Sequence, residues 1–276
     1  MIFCNAYAKI NLTLNILNKR SDNYHNISSI MQTISLHDVI VAEKTDELIK
    51  IICDVEEIPT DEKNIVFKIA KKFFEYTGIN GGVEFYIKKN IPSKAGLGGG
   101  SSDGATALKL LNKLYDTKLS KEQMINISAS VGADIPFFIV GGTALVEGIG
   151  EKVTILKDIP FKYVAVDMPY EEVQTDKAYE LFDQKGKCSD NTSSKSFISM
   201  LTESRLDFSV CNNDFEQVIQ CDLDYFNEYG ALTSRLSGSG SAVYGIFDNL
   251  KDAQECIPTY LCFTIDKSTI QKELCE

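Results

Sequence analysis

The sequence predicts an α+β protein, and three observations predict it. Ile10, Leu12, Leu14 and Ile16 alternate with Asn11, Thr13 and Asn15, the period-two pattern of a half-buried strand. Four glycines in five positions (Gly96, Gly98, Gly99, Gly100) open into Ala105–Leu114, where Ala107, Leu110, Leu111 and Leu114 have the i, i+3, i+4, i+7 spacing of a core-facing helix. Strand and helix patterns follow in runs without regular βαβ alternation, which favours α+β over a doubly wound parallel sheet.

Each element has its own local reason. After the strand at 10–16, strands are expected at Val39–Ala42, Leu48–Cys53 and Val83–Ile87. Asn64–Tyr76 reads as a helix with Ile65, Ile69 and Phe73 on one face. Beyond the glycine run and its helix, Ser120–Val131 forms another helix that ends at Gly132. Thr143–Glu147 and Val153–Leu156 are short strands, and Lys157-Asp158-Ile159-Pro160 marks a boundary between halves. Val164–Pro169 opens the second half as a strand, and polar, serine-rich Lys185–Ser196 is expected to be a mobile surface loop. Ser237-Gly238-Ser239-Gly240-Ser241 is a second glycine turn, leading into the apolar run Ala242–Phe247. No internal repeat is found.

Composition narrows the function classes. The 276 residues suffice for one large or two ordinary domains, and 44% hydrophobic residues suffice for a core. A net charge of −11 argues against a broad nucleic-acid or anionic-membrane surface, so any phosphate must be held by local groups and metal. Eight scattered cysteines with no C-x-x-C pair, and only His25 and His37 beside them, make a zinc site improbable. Met-Ile-Phe-Cys-Asn at the start carries no basic segment followed by an apolar stretch, and no apolar run approaches membrane-spanning length. A cytoplasmic protein with reduced thiols is expected.

The stretch Pro92, Ser93, Lys94, Ala95, Gly96, Leu97, Gly98, Gly99, Gly100, Ser101, Ser102 and Asp103 carries the most functional information. Glycines let the backbone approach a bulky group and adopt positive φ. A loop that opens into a helix N-terminus gathers unpaired N–H groups at the positive end of the helix dipole, an anion site. A Walker A loop would need Gly-Lys-Ser/Thr at its end, and here Ser101 follows the last glycine. The dinucleotide fingerprint fails too, with Ser101 at its sixth position. A plain surface turn needs only one or two glycines.

Other candidates are ordinary on local grounds. Asp134 follows Gly132-Ala133 at a helix end and precedes Ile135-Pro136, where proline disfavours helix at Ile135. Its carboxylate could face a cleft or satisfy local N–H groups. Lys9 shares a strand face with Asn11 and Thr13, which suits a polar cleft wall or plain solvent. Tyr24-His25 sits in a polar turn.

Together the motifs resemble a known family. Tyr7-Ala-Lys-Ile-Asn-Leu12, the Pro92–Asp103 loop, Gly132-Ala-Asp-Ile-Pro-Phe137 and Leu236-Ser-Gly-Ser-Gly-Ser241 occur in the order and spacing of the GHMP kinases. Asp22-Asn-Tyr-His25 and the triple-glycine loop ending Ser-Ser-Asp resemble the branch acting on a cytidylyl methylerythritol in isoprenoid precursor synthesis. The match runs from about Ala6 to Asp266. It implies a two-domain fold, with a ribosomal-protein-like α+β domain containing a left-handed βαβ unit over 1–157 and a ferredoxin-like domain over 158–276.

The resemblance also implies chemistry. ATP with Mg²⁺ would phosphorylate the 2-hydroxyl of the acceptor, which calls for positioning and charge neutralisation more than covalent chemistry. Asp134 is implied as the base, and Lys9 as the ammonium that lowers the hydroxyl pKa and stabilises moving charge. Asn11 would hold acceptor hydroxyls or position Lys9. Residues 96–102 would cradle the α- and β-phosphates, with Lys94 as a phosphate contact and Ser101 or Ser102 as a metal ligand. Tyr24 and His25 would recognise cytosine by stacking and by the imidazole edge, with the base between Tyr24 and Tyr179. Tyr179 stands where the family often has Phe. Thr175 and Asp176 would edge that pocket, and Ser239 and Gly240 would close the site from the second domain. Gly104, where the family commonly has Ala, would weaken only the helix start.

The competing expectations are a homoserine- or mevalonate-type GHMP kinase, or a non-catalytic metabolite sensor on the same fold. Tyr24-His25 and the Gly98–Ser102 run weigh against the first, and retention of Lys9 and Asp134 against the second. An RNA-binding module is disfavoured by the charge. The partner is then a small molecule, not nucleic acid or membrane, with a monomer or weak homodimer as the assembly.

Overall fold

The computed structural model describes residues 1–168 and 173–273. The chain begins with two long antiparallel strands, β1 (Ile2–Lys19) and β2 (His25–Thr45), joined by a turn in which the Arg20 N–H donates to Tyr24 O at 2.8 Å. β1 extends the alternating segment to both sides, and β2 begins far upstream of Val39. Irregular pairing between Tyr7 and Lys9 and between Asn11 and Thr13 re-aims side chains at these positions.

β3 (Ile49–Cys53), α1 (Ile65–Thr77) and β4 (Gly82–Lys88) follow, with β3 parallel to β4. Asn64 caps α1 by accepting from Val66 N at 2.8 Å, and Gly78 ends it with φ 68°. α2 (Gly99–Leu114) starts inside the glycine run, six residues before the expected Ala105. Gly104 sits where a Cβ would come within 2.7 Å of Ile65 Cγ2, so it permits close packing of α1 on α2. α3 (Lys121–Ala129) has a capping box from Ser120 and Gln123.

α4 (Ile135–Val140) corrects an expectation, because helix begins at Ile135 despite Pro136. Proline is tolerated in the first helical turn, where its missing N–H has no acceptor to lose. Ile135–Val140 are all buried, which supplies the packing that holds this short helix. β5 (Thr143–Gly148) pairs with β2, and β6 (Lys152–Ile155) with β5. Phe73, Phe85, Leu108, Leu111 and Phe137 fill the core between this first sheet and its helices.

The chain then crosses to a second sheet. β7 (Tyr163–Asp167) covers most of the expected Val164–Pro169 strand, whose Pro169 lies outside the described residues. α5 (Thr175–Lys185) and α6 (Thr192–Thr202) follow. The expected loop at 185–196 is therefore corrected: its last residues are the first turn of α6. Ser194 is buried there, with Thr13 Oγ1 at 2.7 Å and Asn15 Nδ2 donating to it at 2.8 Å. The serines that looked like loop are polar anchors onto β1.

β8 (Asn212–Asn213) pairs in parallel with β1, so the second half also contributes to the first sheet. The remaining elements are α7 (Asp224–Glu228), β9 (Thr233–Leu236), β10 (Val243–Phe247), α8 (Leu250–Glu255), β11 (Tyr260–Phe263) and α9 (Lys267–Glu273). The second sheet is wholly antiparallel in the order β11-β7-β10-β9. Strand, helices, two strands, helix and strand in that order make a ferredoxin-like layer, as the resemblance implied. Tyr244 Oη donates to Asn11 O at 2.6 Å, and Ile10 and Leu12 share one core cluster with Val164 and Ile246. β1 is thus the seam between the layers.

Candidate active site

One cleft of about 1080 Å³ collects most of the sequence-picked residues. Lys9, Asn11, Tyr24, His25, Pro92–Gly96, Gly98–Ser101, Asp134, Thr175, Asp176, Tyr179 and Ser239 line it. Leu97, Ser102 and Gly240 do not. Leu97 is buried in the core cluster at the domain seam. Ser102 Oγ is buried and donates to Tyr7 O at 2.7 Å, which removes it as a free metal ligand.

The glycine loop enters α2 through Gly98, which has φ 75°. Ser102 N donates to Gly98 O at 2.9 Å, the first bond of the helix. The N–H groups of Gly99, Gly100 and Ser101 precede that bond and have no acceptor within the helix. The loop is pinned from the second layer: Ser237 Oγ donates to Gly96 O at 2.9 Å, and Ala242 N donates to Ala95 O at 3.1 Å. At Gly96, with φ 74°, a Cβ would lie 1.9 Å from Ser237 O, so only glycine fits this crossing.

Lys9 is not a solvated strand lysine. It is 3% exposed, and its Nζ donates to Asn11 Oδ1 and, at 2.6 Å, to Gly96 O. Burial pushes its ammonium down to about 8, opposed by the charge of Asp134. Both polar side-chain atoms of Asn11 have partners: Gly238 N donates to its Oδ1 at 2.9 Å, and its Nδ2 donates to Ser29 Oγ at 2.8 Å.

Asp134 stands at the N-terminus of α4 and makes no side-chain capping bond, so its carboxylate is not used up by local N–H groups. The same charge bears on Tyr179, whose phenol is pushed up mainly by burial. Gly150, which the sequence did not single out, lets the backbone pass close by; a Cβ there would sit 3.2 Å from Asp134 Oδ1.

At the far end, Tyr24 is 60% exposed while His25 is buried. The His25 and Tyr179 rings stack with centroids 4.7 Å apart and planes 13° apart, and Phe215 meets Tyr179 nearly edge-on. Thr175 Oγ1 lies 3.1 Å from Ser239 Oγ, tying α5 to the second glycine turn.

Sequence reasoning missed several lining residues. Lys89 bridges Asp38 and, at 2.6 Å, Asp103 below the loop, and burial raises the Asp103 carboxyl. Asp183 accepts from the His25 ring and from Lys19. A signal for Asp183 was available, since Thr175, Tyr179 and Asp183 are spaced i, i+4, i+8 along one helix face.

The chain is also similar to known proteins. Residues 64–142 match the model of the GHMP kinases N terminal domain, and residues 223–259 that of the GHMP kinases C terminal domain. The chain is 41% identical over 260 residues to the 4-diphosphocytidyl-2-C-methyl-D-erythritol kinase of Clostridium botulinum (strain Eklund 17B / Type B), covering 91% of this chain and 92% of that one. It is 44% identical over 260 residues to the protein of that name from Caldicellulosiruptor saccharolyticus, covering 90% and 89%. A crystal structure of 4-(cytidine 5'-diphospho)-2C-methyl-D-erythritol kinase superposes with a TM-score of 0.80 at 25% identity, over 95% of this chain and 99% of that one.

Proposed function

This chain belongs to the 4-diphosphocytidyl-2-C-methyl-D-erythritol kinases of the GHMP family, and we propose that its cleft passes the γ-phosphoryl group of ATP to the 2-hydroxyl of that substrate. The carrying observation is the buried Lys9 held between Asn11 and the glycine loop, with the Asp134 charge acting on it. Asp134 takes the proton of the attacking hydroxyl. Lys9 stabilises negative charge as the oxygen closes on phosphorus, in a site where preorganised donors act at low dielectric. Asn11, whose polar atoms are already partnered, orients Lys9.

The free N–H groups of Gly99, Gly100 and Ser101 receive phosphate oxygens at the helix N-terminus. Among the described residues no group of three or more His, Cys, Asp or Glu could hold a metal ion. A Mg²⁺ ion would enter with the nucleotide, and Ser101 is the loop hydroxyl in the cleft lining that could help to hold it. When bound, it neutralises phosphate charge. Tyr24 offers an exposed ring for stacking on the cytosine, and His25, backed by Tyr179, faces the base edge. We propose a cytoplasmic location, where the free thiols of Cys4, Cys53, Cys188, Cys211, Cys221, Cys256 and Cys262 stay reduced; among the described residues no helix is long and apolar enough to cross a membrane.

The test is ADP release from ATP and Mg²⁺ with 4-diphosphocytidyl-2-C-methyl-D-erythritol, beside homoserine, mevalonate and galactose. Turnover with the cytidylyl acceptor alone is expected. Turnover with another acceptor would reassign the substrate, and ATP binding without any turnover would favour a sensor.

A further inference from the structure

Two residues 158 positions apart, His25 and Asp183, meet at the end of the cleft opposite the glycine loop. His25 Nε2 lies 2.8 Å from Asp183 Oδ1, and Lys19 Nζ donates to the other carboxylate oxygen at 2.6 Å. Lys19 and His25 face each other across the β1–β2 pair, so both reach one carboxylate on α5. Tyr179, one helical turn before Asp183, stacks on the imidazole and fixes its plane. Asp183 fixes its rotation within that plane. The other ring nitrogen, Nδ1, has no hydrogen-bond partner among the described residues, yet it is not among their sealed, unsatisfied polar atoms. It is open to the cleft that His25 lines.

A carboxylate can only accept hydrogen bonds, and a neutral imidazole carries a single N–H. The bond to Lys19, followed by that to His25, holds the Asp183 carboxyl below its usual range, so it is ionised as an acceptor. The hydrogen of a neutral His25 therefore sits on Nε2, and Nδ1 shows a bare lone pair to the base. Cytosine carries an exocyclic amine donor at the position where a uracil-type base carries a carbonyl acceptor. A lone pair accepts from the first and repels the second.

We propose that Asp183 is a positioning residue that sets the tautomer of His25 and thereby makes the cleft select cytosine over uracil. This rests on the reading in which His25 meets the base edge. Asparagine at 183 can present either an oxygen or an N–H₂, so Asp183→Asn no longer imposes one tautomer.

The experiment joins ¹⁵N NMR of the His25 ring to steady-state kinetics of the full chain with the cytidylyl acceptor and its uridylyl counterpart. The wild-type ring is expected to carry its hydrogen on Nε2. In Asp183→Asn the KM for the cytidylyl acceptor should rise roughly tenfold, on the scale of one hydrogen bond to a charged or polar partner. Its preference over the uridylyl compound should narrow, with the KM for ATP unmoved, and Asp183→Glu should restore part of the loss. A wild-type ring with its hydrogen on Nδ1, or on both nitrogens, overturns the proposal without any variant having to fold. So does Asp183→Asn with unchanged acceptor KM and preference. His25→Ala separates the two levels: if that change leaves the acceptor KM untouched, the base contact itself is wrong. If it raises the acceptor KM while Asp183→Asn does nothing, only the role of Asp183 falls.

Discussion

Lys9 Nζ donates to the carbonyl oxygen of Gly96 at 2.6 Å, and Ser237 Oγ donates to the same oxygen at 2.9 Å. One backbone carbonyl thus joins the seam strand, the glycine loop and the second layer. The cation of the site is placed by the same atom that anchors the loop, so loop geometry and lysine position cannot vary independently.

The pH dependence follows from Lys9. Burial lowers its ammonium from an ordinary 10.5 to about 8. It is cationic below that pH and neutral above it, so kcat is expected to fall as pH rises through about 8. Stability has the opposite sign, because between about 8 and 10.5 the unfolded chain holds a proton that the folded one does not, and this group's contribution therefore rises with pH. A pH–rate profile from 6 to 10 checks the first effect. A kcat that stays level to pH 9.5 would remove charge on Lys9 from the mechanism.

Asp134→Asn keeps the size of the side chain and removes its basicity. Turnover is expected to fall by ~10²-fold or more, the scale of general-base loss, with ATP affinity by calorimetry nearly unchanged. Unchanged turnover would strike Asp134 from its role.

Gly96→Ala places a methyl group 1.9 Å from Ser237 O at a φ of 74°. The loop must move or the residue must strain, and a loss of roughly 1–3 kcal/mol is expected in urea unfolding. Weakened ATP binding should accompany it, since the displaced N–H groups are the proposed phosphate donors. A variant as stable as the wild type would mean that the crossing is looser than drawn.

Ser194→Ala removes a buried hydroxyl that bonds Thr13 and Asn15. About 1–3 kcal/mol should be lost, because the buried strand groups are left unsatisfied. Thermal melting tests this, and an unchanged melting temperature would show that α6 docks on β1 without its serine anchor.

Much of the site was legible because it is written in short runs. The glycines of the loop, Lys9-Ile-Asn11 and Gly132-Ala-Asp134 are local patterns, and the cleft collects all three. Less legible was anything governed by packing. The helix at Ile135 was missed because proline argues locally against it, while burial of all six residues of α4 argues for it. The serines at 193–194 look like loop until β1 supplies polar partners for them.

The sequence by itself determined the α+β class and marked the glycine run as an anion-type loop, while Lys9 and Asp134 were singled out only by the family resemblance of the ordered motifs. The first two depend on side-chain period, backbone freedom at glycine and charge, all properties of near neighbours. Only the tertiary structure decided that Lys9 is buried against Gly96, that Ser102 is turned away from the cleft, and that Asp183 takes the His25 ring. Each of these is a contact between distant segments, and its geometry is set by how the two sheets and α5 pack against β1 rather than by any residue's own preference.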